Sequence, residues 1–402
     1  MKTRSGLKIS YEEITAHACR TYSHKKCSLC PYIESDYRDE LQAKQNKLQM
    51  LLDKCPGGKR IEPIIPSPQS RHYRTGTKRR MYYIQKNPIL ALSGGAASSG
   101  RPYDVMYCPI EPHNHNRIYQ IAREFLKYGG CTELCKSLNY IIVKGGYDAY
   151  MILFSLKYYN GKINQKLNEL SKILTFELTG VSGLYIILDD DTGYYISDKV
   201  HTTPKNIRKI YGGAGVTLSV HGKKYFFSPL VFSQTNTSVL DDFTEAAVRL
   251  LNPGTKDHVL DLYCGYGLFG LLMSDYAASV TGLELLSEAV RCARYNAKIN
   301  HAENTRWMAA PVTKDSIQRV LASGKSPSLL VLDPPRNGTE PGVIQALALN
   351  PFRKVLHIFC NTEILVTELL LWNKAGYRTE KIIPVDMFPA TEHLEVMVLL
   401  TK

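Results

Sequence analysis

Cys360 and Glu395 are two side chains whose types combine into a reaction. Cys360 stands in Phe359-Cys360-Asn361, and Glu395 closes the run Asp386 to Glu395, 35 residues further on. A thiolate adds to an electron-poor ring carbon, and a carboxylate beside it removes a proton from the neighbouring carbon. Both follow a glycine-rich loop at Gly265 to Gly270. Together these are the parts needed to alkylate an unactivated pyrimidine carbon. A cysteine at a strand end is more often a buried, inert thiol, so position alone does not assign that chemistry.

The elements that must position the pair are legible around the loop. Val259-Leu260-Asp261-Leu262-Tyr263 reads as a buried strand, and Cys264-Gly265-Tyr266-Gly267-Leu268-Phe269-Gly270 follows where the strand turns into a helix. Glycines there let the backbone approach a ligand with no Cβ in the way. Glu284 ends the next strand, 19 residues after Gly265, where a carboxylate can accept from both ribose hydroxyls. The loop motif alone does not separate a dinucleotide from S-adenosylmethionine. Too few residues follow it for a second Rossmann half, which favours S-adenosylmethionine. Asp333, in Leu332-Asp333-Pro334-Pro335-Arg336, and Cys360 end successive apolar runs, so both should face the crevice at the carboxyl ends of the strands. Asp333 there would touch the cofactor or the edge of a target base.

From Gln234 onward, strands and helices alternate at the pitch of a parallel, doubly wound α/β sheet: strands at 258–263, 279–284, 329–333 and 355–360, helices around Leu240–Leu250 and Glu288–Asn300. Ahead of it, Tyr140–Val143, Tyr150–Phe154 and Leu184–Leu188 read as strands and Ile163–Leu174 as a helix, a small α+β module. Residues 36–54 carry Leu41, Leu48 and Leu52 on one helical face, closed by a break at Cys55-Pro56-Gly57-Gly58. Ser93 to Gly100 reads as a hairpin tip. We divide the chain into 1–70, a cysteine-rich region and helix; 71–232, the α+β module; and 233–402, the doubly wound domain.

The net charge of +13 is uneven: residues 1–80 hold 17 Lys and Arg against 8 Asp and Glu. That asymmetry favours a polyanion partner, although basic tails also serve solubility. Arg71, Arg74, Lys78, Arg79 and Arg80 lie in a stretch too polar for a core, a surface strand or loop suited to phosphate contacts. No apolar run reaches the length of a membrane span and the N-terminus has no signal-peptide pattern, so a cytoplasmic protein without membrane association is expected. No obligate protein partner is implied.

In that compartment ten cysteines are not a disulfide framework. Cys19, Cys27 and Cys30, with Cys108 in Tyr107-Cys108-Pro109, give four thiols, enough for zinc or an iron–sulfur cluster, and spacing does not choose between them. Cys131 and Cys135, one helical turn apart at a helix start, are expected to pack. Cys55, Cys264 and Cys292 show no partner pattern.

Gln234-Thr235-Asn236, Asp261 to Gly267, Asp333-Pro334-Pro335-Arg336, Cys360-Asn361 and Asp386 to Glu395 resemble, in order and spacing, the RNA uracil-C5 methyltransferase family, over nearly the whole chain. The resemblance implies a class I S-adenosylmethionine-dependent methyltransferase fold, with Cys360 adding to uracil C6 and Glu395 removing the C5 proton. It places Gln234, Tyr263, Gly265, Gly267, Glu284 and Asp333 at cofactor contacts. It implies a [4Fe-4S] cluster on Cys19, Cys27, Cys30 and Cys108. The family often begins with an oligonucleotide-binding barrel. Here the cluster pattern starts at Cys19, which resembles the shorter subgroup acting on a 23S rRNA hairpin uridine. Where the family usually reads Ser-Cys-Asn-Pro followed by Arg-Asp or Lys-Asp, this chain has Phe359 and Thr362 around the pair and Thr367-Glu368 downstream; Leu268 and Pro311 replace residues often polar. The alternatives are a T-loop uridine of transfer RNA as substrate, a non-catalytic RNA-binding protein, or a zinc-dependent binding module.

Overall fold

The computed structural model describes residues 19, 22, 27–53, 61–92, 102–189, 207–322 and 326–402. The Cys55–Gly58 break and the Ser93–Gly100 tip lie outside them. Internal contacts divide the chain into two units, residues 1–35 with 70–216 and residues 36–69 with 217–402. The three-part division read from the sequence differs, because the first described helix, α1 (Tyr37–Leu52), belongs with the C-terminal unit. Asp36 caps α1 by accepting the Arg38 N–H at 2.8 Å. Its buried stripe is Glu40, Lys44, Leu48 and Leu52, four residues apart, with Leu41 only partly buried.

The first unit is built on a six-stranded mixed sheet of β1 (Gly76–Ile84), β2 (Asn87–Ala91), β3 (Leu138–Gly145), β4 (Tyr150–Leu156), β5 (Val181–Leu188) and β6 (Ile207–Gly212), in the order 2-1-3-4-5-6. Helices α2 (His113–Tyr128), α3 (Thr132–Ser137) and α4 (Gly161–Glu177) supply Ile118, Phe125, Leu167 and Leu174 to a core with Ile141, Val143, Phe154 and Ile186 of the sheet. Cys131 and Cys135 pack in this core, donating to the Phe125 and Leu126 carbonyls at 3.5 and 3.7 Å. Along β1 burial alternates, so Thr77 and Arg79 point inward while Lys78 and Arg80 do not.

In the second unit, α1 is followed by the hairpin β7 (Val216–Val220), whose first residue lies at the boundary, and β8 (Lys223–Phe227), then helix α5 (Leu240–Leu251). Then come β9 (His258–Leu262), α6 (Leu268–Met273), β10 (Ser279–Glu284), α7 (Ser287–Ile299), β11 (Thr305–Ala309), α8 (Lys314–Ala322) and β12 (Leu329–Leu332). The last are α9 (Val343–Ala348), β13 (Lys354–Phe359), α10 (Thr362–Lys374), β14 (Arg378–Val385) and β15 (Glu395–Thr401). Seven strands form one sheet in the order 11-10-9-12-13-15-14, with β15 alone running against the others. Such strands are covered on both faces and must be apolar throughout; all four residues of β12 are buried. The strand order reverses between β9 and β12, which opens a ligand crevice at their carboxyl ends. No helix among the described residues is long and apolar enough to cross a membrane.

Candidate active site

Five strand ends deliver the expected residues to one edge of the sheet. Tyr263 follows β9, Glu284 ends β10, Asp333 follows β12 and Cys360 follows β13. Because β15 runs antiparallel, its first residue lies where its neighbours end. The pairs Lys354↔Thr401 through Phe359↔Val396 set the register, and one further step puts Glu395 across from Cys360. Gln234 lies on the segment before α5, two residues from Asn236, whose amide donates to Ser67 Oγ at 2.9 Å and to the Met387 carbonyl at 3.2 Å.

The glycines of the loop do different work. Gly265 has φ +54°, and nothing lies within 4 Å of where its Cβ would be, as a backbone facing a ligand requires. Gly267, at φ +87°, instead backs onto Trp307, whose ring would lie 3.1 Å from an added Cβ; at Gly270 the corresponding distance is 2.9 Å. The indole of Trp307, on β11, therefore props the loop from behind, a role the sequence reading missed. The Glu284 carboxylate accepts the Gly265 N–H at 3.1 Å and the Leu286 N–H at 2.8 Å, which ties the end of β10 to the loop. Asp261 is buried and accepts the Gly270 N–H at 2.9 Å on Oδ2, while Oδ1 has no partner among the described residues. Burial, then repulsion from Asp333 and Glu284, pushes its carboxyl up to about 8 against the Gly270 hydrogen bond.

Around Cys360 negative charge is crowded. Burial first, then Glu395 and Asp333, pushes the thiol up to about 12, and Arg336 opposes them. Glu395 is held well above the usual carboxylate range by burial and by Asp333, again opposed by Arg336, and its Oε2 has no hydrogen-bond partner among the described residues. Burial pushes Asp333 up to about 7. At neutral pH the resting site therefore holds a neutral thiol, and burial disfavours the charged form of Glu395.

The loop carrying Arg336 is fixed from α10. Asn361 caps that helix, accepting the Glu363 N–H at 3.0 Å, and its amide donates to the Arg336 carbonyl at 3.2 Å. Glu368 Oε1 accepts both the N–H and the hydroxyl of Thr339 at 2.7 Å. His357 Nδ1 accepts the Trp372 indole N–H at 3.1 Å, which leaves the proton on Nε2, 3.2 Å from Glu368 Oε2. Glu368 is thus the carboxylate that holds this loop, in the stretch where the sequence departs from the usual Arg-Asp or Lys-Asp.

A family model described as tRNA (uracil-5-)-methyltransferase matches residues 214–402. The C-terminal part of the chain thus matches the RNA uracil-C5 methyltransferase family. The chain is 25% identical to an uncharacterised RNA methyltransferase of Clostridium acetobutylicum, over 97% of this chain and 84% of that one. It is 26% identical to the 23S rRNA (uracil(747)-C(5))-methyltransferase of Yersinia enterocolitica, over 96% of this chain and 99% of that one. Among solved structures, the tRNA (uracil-54, C5)-methyltransferase of Pyrococcus abyssi, in complex with S-adenosyl-L-homocysteine, superposes with a TM-score of 0.69 at 20% identity. The match covers 91% of this chain and 84% of that one, a likeness of fold.

Outside the matched residues, the basic strand reads differently from the expectation. Arg79 is fully buried and paired in a fork with Glu111 at 2.5 and 2.7 Å, so it is not a phosphate contact. Arg71 donates to the Ile33 carbonyl at 2.8 Å. Arg80 lies over Tyr82 and Tyr140, at 5.3 and 5.9 Å from the ring centroids, and Lys78 is 5.8 Å from Tyr140. The four expected ligand thiols share one neighbourhood. Cys30 is pushed up to about 12 by burial and by Cys27 and Cys19, and Cys108 is raised by burial, Glu111 and Cys30. Asn116 holds Cys108, accepting its N–H at 2.7 Å and donating to its carbonyl at 3.0 Å. They are not drawn into a single coordination sphere: among the described residues no group of three or more His, Cys, Asp or Glu side chains is placed to hold a metal ion.

Proposed function

We infer that the protein is an S-adenosylmethionine-dependent methyltransferase that forms 5-methyluridine in 23S ribosomal RNA. The observation that carries this reading is the register that sets Glu395 across from Cys360 at the switch-point crevice. The full-length likeness to a 23S rRNA enzyme supports the choice of RNA.

Gln234, Tyr263, Gly265, Gly267, Glu284 and Asp333 would hold the cofactor, whose sulfonium supplies an electrophilic methyl group. The residues fit it: Gly265 faces open space and Glu284, at the end of β10, can take ribose hydroxyls. Cys360, as thiolate, bonds to C6 of a uridine turned out of its stack, which places an electron pair on C5. After C5 is methylated, Glu395 takes the C5 proton; the C–H electron pair restores the C5–C6 double bond and expels the thiolate. Arg336, the cation that lowers both Cys360 and Glu395, favours their charged forms.

Cys19, Cys27, Cys30 and Cys108 would ligate a [4Fe-4S] cluster, to which thiolates bind through separate irons and so stand further apart than on one ion. Their mutual electrostatic reach supports this. Brown colour with iron and sulfide in anaerobically purified protein is the expected result; zinc alone refutes it. Arg74, Lys78 and Arg80 are the proposed phosphate contacts.

The test is incubation with 5-fluorouridine-substituted fragments of 23S rRNA and of a transfer RNA T-loop plus S-adenosylmethionine. Fluorine at C5 cannot leave as a proton, so a methylated covalent adduct at Cys360 with the ribosomal fragment is expected. An adduct with the T-loop alone moves the substrate to transfer RNA. No adduct with either, while the cofactor binds, overturns the catalytic reading in favour of an RNA-binding protein.

A further inference from the structure

Helix α1 lies outside the residues matched by the family model, yet three of its side chains converge on the loop that leads to Glu395. Lys44 Nζ is fully buried and donates to Glu40 Oε1 at 2.7 Å, Asp386 Oδ1 at 2.8 Å and the Phe388 carbonyl at 3.2 Å. The Tyr37 hydroxyl donates to Asp386 Oδ2 at 3.0 Å and accepts the Ser67 N–H at 2.8 Å. Glu40 Oε1 also accepts the N–H of Ala390 at 2.6 Å, a residue held at φ +68° with no glycine to ease it. Asp386 begins the loop and Glu395 ends it, directly after β14 and at the start of β15, where Val385 pairs with Glu395. The start and the strained middle of the loop are thus held by one helix.

Stability does not account for this arrangement. One buried cation between two buried carboxylates is no firmer than well-packed apolar side chains, because desolvation offsets the attraction. What it does supply is direction: each bond fixes one atom of the loop, and proton transfer is sensitive to displacement of the base.

We propose that Lys44, with Glu40 and Tyr37, is a positioning residue for proton abstraction: it sets the Asp386–Ala390 loop that delivers Glu395. The inference rests on the function proposed above. It assigns α1 to the final step, in which the C5 proton passes to Glu395, the C–H pair becomes the C5–C6 bond and the C6–Sγ bond breaks. Cys360 is carried by β13 and α10, so its attack and the methylation it enables do not depend on this loop.

The test compares the full-length protein with Lys44→Met on an RNA tritiated at uridine C5. Tritium release reports proton removal, and the methylated covalent adduct on a denaturing gel reports the steps before it. The variant is expected to release tritium at least about tenfold more slowly and to accumulate adduct that the wild type does not, while trapping on 5-fluorouridine RNA stays within about twofold. Equal slowing of trapping and release, or no change in either, overturns the proposal. If Lys44→Met does not fold, judged by loss of cofactor binding, Tyr37→Phe removes only the hydroxyl that donates to Asp386 and accepts from the Ser67 N–H, at nearly constant volume. It is expected to give the same split at about threefold, and parallel rates in that variant overturn the proposal. If the wild type neither traps nor releases tritium, the proposed function has failed; if it does both and the variants slow both equally, only the role of α1 has failed.

Discussion

Gly282→Ala tests how the cofactor loop is propped. Gly282 lies on β10 in register with Trp307 of β11. An added Cβ would meet Trp307 Cε3 at 2.2 Å, Cζ3 at 2.5 Å and Cys264 Sγ at 2.9 Å. To restore van der Waals contact the indole must move by more than 1 Å, roughly a carbon contact of about 3.5 Å less the distance available. It has nowhere to go, since its far edge already packs on Gly267 and Gly270, and its Nε1 is bound to Thr305 Oγ at 3.1 Å. Overpacking of a closed core costs about 1–3 kcal/mol, and a clash with ring and backbone on opposite sides falls at the upper end. For a unit of this size about 3 kcal/mol lowers Tm by roughly 6–12 °C. The displaced loop should also weaken S-adenosylmethionine binding. Thermal unfolding and calorimetric titration measure both, and Trp307→Leu on the Gly282→Ala background should recover at least about 1 kcal/mol as a coupling energy. A variant within about 2 °C of wild type that binds cofactor normally, or no recovery in the double variant, refutes the reasoning.

Four further outcomes follow from the structure. Asp261, pushed up to about 8, keeps its proton in the folded state while the unfolded carboxyl is ionised. Stability should therefore fall as pH rises from about 4 to about 8, by at most about 1.4 kcal/mol per pH unit, and level off above; in urea titrations Asp261→Asn should flatten that slope. Arg79→Ala should cost about 3–5 kcal/mol by stranding buried Glu111. Arg80→Ala should leave Tm unchanged and reduce the salt dependence of RNA binding by about one phosphate contact. Asn361→Ala removes a helix cap and the tether to the Arg336 carbonyl, so it should lower stability by about 1 kcal/mol and slow trapping on 5-fluorouridine RNA.

The sequence by itself determined the alternation of strands and helices after Gln234, the crevice at the end of β9, and the residues that end at it. Those signals are local: a four- to six-residue apolar run, a turn that needs glycine, a polar residue at the strand end. It also determined the packing role of Cys131 and Cys135, through their place at a helix start. The tertiary structure alone decided what lay between distant segments. Apart from the motif resemblance, nothing in the sequence sets Glu395 across from Cys360; that placement follows from β15 inserting antiparallel between β13 and β14. Trp307 props a loop some forty residues before it, and Lys44 meets Asp386 across 342 positions, contacts to which no periodicity points. Arg79 was misread because a run of basic residues looks solvated, whereas β-strand alternation turns every second one inward, and only the fold supplies Glu111 to receive it.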